Sequence, residues 1–407
     1  MELVEIFKEL VVIPSPSMEE EKVAQKIIEI LSNAGIEAKF DNYGNIYAKI
    51  EQQNTKAKGL LLSAHMDVVG DDTPVNIIEN NGPCGHIIET DKTRTLGADD
   101  KAGAAAIIKA LLDIKNGTIS PNYTIEAIFT RDEENSMTGI EHVEFNNLNS
   151  EYVLVLDSDK LGNFEISGAG YLKFTVSVNT SYGGHSGLDI ADEKRLNAAK
   201  IITEIIEKIP QGVYKKDETG TITSINLGSI IGGGVENALY QAVKKNLKGK
   251  EAVEFTAKNS MSNIINTTAF AHYSLRSSDN KIKDELIAKI QNIIEEFNKK
   301  YKGLAEANIE IEEHLPVFEK SEDETLIKTA KLAAAKAGVS LKISSFHAGA
   351  ETHIYANRKN KSNIAFKPVL MGIADVYNMH SSTEKIDIES YKKGYGFLKA
   401  FLEEYNR

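Results

Sequence analysis

Three apolar stretches of this chain end in residues that bind metals or move protons, and that recurrence restricts the fold more than any other feature. Gly59-Leu60-Leu61-Leu62-Ser63-Ala64 runs into His65-Met66-Asp67, Tyr123–Thr130 into Arg131-Asp132-Glu133-Glu134, and Tyr152-Val153-Leu154-Val155-Leu156 into Asp157. The first and last do not alternate polar with apolar residues, which is how a strand buried on both faces reads. Helical stretches separate the three. In open parallel α/β sheets, sites form in the crevice outside the carboxyl ends of the strands. The pattern therefore predicts an α/β domain, a mostly parallel sheet flanked by helices, with its chemistry gathered along one edge.

Between the first two runs lies Thr95-Leu96-Gly97-Ala98-Asp99-Asp100-Lys101-Ala102-Gly103. It sets two adjacent carboxylates just before an Ala-, Ile- and Leu-rich helix over 102–115. Negative charge at a helix start is by itself a capping signal. Asp99 and Asp100 gain further weight only from the acids and histidines around them.

At 407 residues the chain exceeds the size at which one core stops growing, so two domains are expected. Lys and Arg number 47 against 59 Asp and Glu, for a net charge of −12, which argues against nucleic acid and anionic membrane as partners. Cys84 is the single cysteine, so any metal must be held by histidine and carboxylate. Glu2, Glu5, Lys8 and Glu9 interrupt the N-terminal apolar residues, unlike a signal peptide, and no run of about 18 apolar residues is present. The expected location is the cytoplasm.

Around Gly168-Ala169-Gly170 the pattern changes. Tyr171–Asn179 alternates like a half-exposed strand, 191–208 reads as an amphipathic helix, and Thr221–Ile231, Ala269–Ser277 and Ala307–Ile311 read as further strands. A long helix runs through Ile282, Leu286, Ile290, Ile293 and Phe297, whereas 235–262 fits no element. This describes a smaller α+β domain at 171–314, inserted into a catalytic domain made of 1–170 and 315–407. Ser321-Glu322-Asp323-Glu324 has the form of a capping box opening a helix that Gly338 closes. The glycines at 232–234 lack the Gly-Lys-Ser/Thr of a phosphate loop, and Gly184-His185-Ser186-Gly187 lacks the nucleophile elbow of serine hydrolases.

His65-Met66-Asp67, Gly97-Ala98-Asp99-Asp100-Lys101, Asp132-Glu133-Glu134, Leu156-Asp157, Gly183-Gly184-His185-Ser186-Gly187 and Met379-His380 stand in the order used by co-catalytic zinc exopeptidases. The chain resembles that family, which takes in peptidase T, peptidase V, aminoacyl-histidine dipeptidase and the acylase-type amidohydrolases. Gly97–Gly103 is most similar to peptidase T. Asp132–Gly139, Gly183–Gly187 and His347-Ala348-Gly349-Ala350-Glu351 are closer to aminoacyl-histidine dipeptidase.

The resemblance implies two zinc ions per subunit, bridged by Asp99. His65 and Asp157 complete one ligand set and Glu134 and His380 the other, and each ion keeps an open position, as a catalytic zinc needs. Cobalt and manganese suit the same donors. A bridging water would attack the peptide bond of a short peptide, with Glu133 as general base and Asp67 orienting His65. The family also carries a non-proline cis peptide here, at Asp99–Asp100. By the same resemblance Arg276 grips the substrate carboxylate, Gly349 and Glu351 line the pocket, and Asn263 assists. The family usually has proline where Asn266 stands, and Asn237 is a competing match. His185 would reach the site of a partner subunit, making the protein a homodimer through the inserted domain. The implied activity is that of an aminopeptidase, dipeptidase or tripeptidase. Alternatives are an N-acyl-amino-acid deacylase and a catalytically silent peptide-binding protein.

Overall fold

The computed structural model describes every residue except 53–56, 83–84, 219 and 407, so Cys84 lies outside the described residues. The chain divides into two compact units, one of Met1–Gly168 with Phe318–Arg407, the other of Ala169–Val317. The expected boundaries at 170/171 and 314/315 would cut the strands Gly170–Thr180 and Ala305–Leu315, each of which stays whole within the second unit.

The first unit is built on an eight-stranded sheet in the order 38–40, 46–50, 125–130, 60–65, 152–158, 367–372, 163–168, 342–346. Its centre is parallel: Leu60–His65 pairs with Ile125–Thr130 on one side and Tyr152–Ser158 on the other, and Tyr152–Ser158 pairs in turn with Lys367–Gly372. Every residue of 60–65 and 125–130 is buried, the reason these runs show no alternation. Register then gathers the chemistry. His65 lies opposite Thr130, so it leaves the sheet beside the 131–134 loop, and Ser63 pairs with Val155, which sets Asp157 level with His65 two residues on.

Ala98–Lys115 is kinked at Asp99 and Asp100, whose backbone is not helical, and the helix beyond the kink is buried around almost its whole circumference, as its run of alanine, isoleucine and leucine requires. A Cβ at Gly103 would lie 2.8 Å from the Leu156 carbonyl oxygen. Only glycine lets the start of this helix approach the strand that carries Asp157 so closely.

Sequence patterning did not foresee the four-stranded sheet of Ile77–Gly82, Gly85–Thr90, Lys385–Asp387 and Asp375–Tyr377. The strand Ile77–Gly82 is mostly polar and exposed, so no apolar alternation marks it. In this sheet Asp375–Tyr377 and Lys385–Asp387 form a hairpin, and residues 378–384 are its loop.

The second unit has a five-stranded antiparallel sheet in the order 212–216, 222–232, 268–277, 170–180, 305–315. Alternate residues of Gly170–Thr180 and Thr268–Ser277 enter a separate apolar core with Ala198–Lys208 and Asn280–Lys300.

Three local expectations need correction. The helix expected over 191–208 begins at Ala198, because the Asn197 side chain accepts the N–H of Ala199 and caps it there. Residues 235–262, expected to be irregular, hold the helices Glu236–Lys244 and Gly249–Asn259; the second buries no side chain, so no apolar stripe announces it. Before the helix Thr325–Ala337 the capping box does not form. Asp323 accepts the N–H of Thr325, while Ser321 Oγ accepts that of Asp323. Gly338, at φ +64°, does close that helix.

Candidate metal centre

His65, Asp67, Asp99, Glu133, Glu134, Asp157 and His380 all belong to the first unit, where the edge of the eight-stranded sheet, the turn into Ala98–Lys115 and the 378–384 loop bring them together. The peptide Asp99–Asp100 is cis. Asp99 sits between two histidines: its Oδ1 is 3.2 Å from His65 Nε2 and its Oδ2 is 2.9 Å from His380 Nε2. Asp157 Oδ1 lies 3.9 Å from His65 Nε2. Glu134 Oε1 lies 3.0 Å from His380 Nε2 at ion-pair distance, but is buried without a hydrogen bond of good alignment.

The other nitrogen of His65 is also engaged. Nδ1 lies 3.0 Å from the Asp67 carbonyl oxygen and 3.3 Å from Asp67 Oδ1. The fully buried Asp67 carboxylate also accepts the backbone N–H groups of Glu133 and Glu134 and the Ser17 hydroxyl. Glu20 supports the same loop from behind, accepting the N–H of Asp132 at 3.0 Å and the Arg131 Nε at 2.7 Å.

So many carboxylates in one place must be compensated. Burial pushes Asp157 well above the usual carboxylate range, with Asp99 and Asp100 adding to it. Burial likewise raises Glu133 to about 8, helped by Glu134, Glu351 and Asp99 against the pull of His65. Burial disfavours a charged His65, yet Asp67 and Asp99 carry it well above its ordinary value. The Asp99 and Glu134 carboxylates beside it push His380 up to about 10. For Asp99, the two histidines outweigh burial and hold the carboxylate low. Without a cation, the cluster is neutral only by taking up protons.

Divalent cations do the same more directly, and the donors fit them. One ligand atom each from His65, Asp99 and Glu134 lie within 4.8 Å of one another, as do one each from His65, Asp100 and Asp157. With no cysteine among them, the donor set is the histidine and carboxylate mixture that zinc, cobalt or manganese accepts. A surface depression of about 800 Å³ elsewhere in this unit, lined by residues of 37–51 and 143–149, contains none of these groups.

The sequence profile of Peptidase family M20/M25/M40 matches residues 61–404, most of the chain. The chain belongs to that family. The uncharacterized protein YqjE of Bacillus subtilis (strain 168) is 25% identical over 412 residues, covering 99% of this chain and 98% of its own. Matches to curated peptidase T sequences from Halothermothrix orenii and Brevibacillus brevis take in about half of their length. The crystal structure of aminopeptidase PepT from Bacillus cereus ATCC 10987 superposes with a TM-score of 0.80 at 23% identity, covering 100% of this chain and 98% of the other. Aminoacylhistidine dipeptidase from Vibrio alginolyticus gives 0.70 at 19% identity, with coverages of 100% and 96%.

Glu351, expected to line the pocket, is 1% exposed and accepts a hydrogen bond from Ser63 at 3.0 Å, while Gly349 is exposed. Burial keeps the Glu351 carboxyl above its usual range. Within the second unit, His185 is exposed on a two-residue strand paired with Ile264–Ile265, next to Asn263. Its Nδ1 accepts the N–H of Gly187 at 3.1 Å, so in the neutral ring Nε2 carries the proton and faces outward as a donor. The Arg276 guanidinium lies 4.5 Å from the ring centre of Tyr171. Asn237 is exposed on the helix Glu236–Lys244.

The sequence reading missed Ser17, Glu20 and the role of Glu384 in this region. None had a signal of its own. Each becomes legible only through hydrogen bonds to segments far away in the chain.

Proposed function

We propose that this chain is a zinc-dependent exopeptidase acting on the N-terminal side of short peptides. The observation that carries the reading is Asp99, whose two carboxylate oxygens face one histidine each, at 3.2 and 2.9 Å. Asp99 would be shared by two ions, with His65 and Asp157 on one and Glu134 and His380 on the other. When bound, such ions acidify the attacking water and polarise the scissile carbonyl.

Glu133 takes the proton from the attacking water and returns it to the leaving amine. Its backbone is held by Asp67, so base and ligand keep separate positions although they adjoin in sequence. Asp67 also fixes the His65 ring through Nδ1. Arg276 holds the substrate carboxylate with its fork of donors, steadied by the Tyr171 ring, and Asn263 assists. Gly349 lines the pocket, and Glu351 supports it from beneath. His185 donates through Nε2 to the oxyanion in the site of a partner subunit, in a homodimer formed through the 169–317 unit.

Among the described residues no helix is long and apolar enough to cross a membrane. The location proposed for the enzyme is the cytoplasm. The test of the activity is incubation of the purified protein with di- and tripeptides and, in parallel, N-acyl-amino acids. Release of N-terminal residues from peptides is expected. Cleavage confined to acyl-amino acids would make it a deacylase, and binding without turnover a silent receptor.

A further inference from the structure

Glu384 stands out among the buried acids the mechanism does not use. It is 1% exposed, and its partners lie 285 to 289 positions away in the chain. Glu384 Oε2 accepts the backbone N–H of Gly97 at 2.8 Å and the Thr95 hydroxyl. Glu384 Oε1 accepts the backbone N–H of Asp99 at 3.2 Å. One carboxylate thus takes three donors from the turn that leads into Asp99.

Glu384 closes the 378–384 hairpin loop, whose exposed side carries His380. The Glu384 N–H bonds to the Ser381 carbonyl oxygen at 3.1 Å, and Ser381 Oγ bonds to the Asn378 carbonyl oxygen at 2.7 Å, so the loop is braced from within. These bonds tie the position of His380 to that of Glu384. The His380 imidazole reaches Asp99 from one side while the Glu384 carboxylate grips the Asp99 backbone from the other.

We propose that Glu384 is a positioning residue that locks the Asp99 loop to the His380 loop and so sets the geometry of the ion held by His380 and Glu134. The other ion shares Asp99, but its remaining protein ligands, His65 and Asp157, sit on the sheet itself. Loss of the lock should therefore weaken the ion held by His380 and Glu134 more than its neighbour. This rests on the metal-centre reading above.

The test is Glu384→Gln, which keeps the shape but removes the charge and exchanges one accepting oxygen for a donor. Metal-free wild type and variant are titrated with Zn²⁺ by calorimetry, and their thermal unfolding without metal is compared. The first equivalent of zinc should bind the variant with a smaller loss than the second, which should bind about 10–100-fold more weakly, the usual cost of losing a group that orients ligands. Two zinc affinities equal to wild type in the folded variant, or an equal weakening of both, would overturn the proposal. A merely structural role would lower the unfolding temperature and leave the two affinities in their wild-type ratio. If Glu384→Gln does not fold, Thr95→Val removes one donor from the same carboxylate, and its zinc affinities decide by the same criterion. A wild type that binds no zinc would instead sink the metal centre itself.

Discussion

Asp67 Oδ1 accepts the backbone N–H of Glu133 at 2.9 Å, and its other oxygen accepts that of Glu134 at 3.0 Å. One buried carboxylate thus holds two adjacent acids by their backbones and leaves their side chains to separate work.

That separation predicts opposite outcomes for two isosteric substitutions. Glu133→Gln should keep the metal content of the wild type and lose turnover by roughly 10²–10⁴-fold, as removal of a positioned acid–base group does. Glu134→Gln should lose metal. Elemental analysis of both proteins after dialysis distinguishes them, and the reverse pattern would show that base and ligand have been exchanged.

Metal removal should be coupled to protons. His380 is pushed up to about 10 and Glu133 to about 8 in the metal-free site, so both hold protons near neutrality that cations displace. Zinc binding at pH 7 is expected to release at least about one proton per chain, read by calorimetry in buffers of different ionisation enthalpy. Chelation should abolish activity, and Zn²⁺, Co²⁺ or Mn²⁺ should restore it. Full activity in a metal-free preparation would end the reading.

Glu165 offers a test away from the metals' own ligands. Burial raises its carboxyl from 4.5 to about 7, with Asp159 adding and Ser158 and Lys342 opposing. The folded protein therefore holds this proton more tightly than the unfolded chain. Its contribution to stability is present below pH 4.5 and is lost as pH rises through about 7. Glu165→Gln should flatten that decline and, at pH 8 in chelator, stabilise the protein by at most about 3 kcal/mol. Urea unfolding of both proteins at pH 5 and pH 8 measures it. An equal pH dependence in the two would refute the assignment.

The role proposed for His185 predicts complementation. His185→Ala and Glu133→Ala homodimers should each be nearly inactive. Their heterodimer has one site with an intact Glu133 and a donated His185. Co-refolding equal amounts should recover about a quarter of wild-type activity, since random pairing makes half the dimers mixed and each has one complete site of two. Verified heterodimers as inactive as their parents would exclude the borrowed histidine.

The sequence alone determined the sheet and the placing of His65, the 131–134 loop and Asp157 at its edge. Uninterrupted apolar runs such as Leu60–Leu62 and Val153–Leu156 must be buried on both faces, and a parallel sheet delivers the residues just past their carboxyl ends to one edge. The interruption by an alternating α+β segment was legible for the same reason, since a period of two marks a strand with one solvated face. Tertiary structure alone decided how those residues are held. Nothing in the sequence near Glu384 points to Thr95, Gly97 and Asp99, and nothing near Ser17 or Glu20 points to Asp67 and Asp132. The exposed helix Gly249–Asn259 and the polar strand Ile77–Gly82 were invisible because neither buries an apolar face. Hydrophobic periodicity reports burial, whereas a hydrogen bond between distant segments depends on the register and turns of the whole fold.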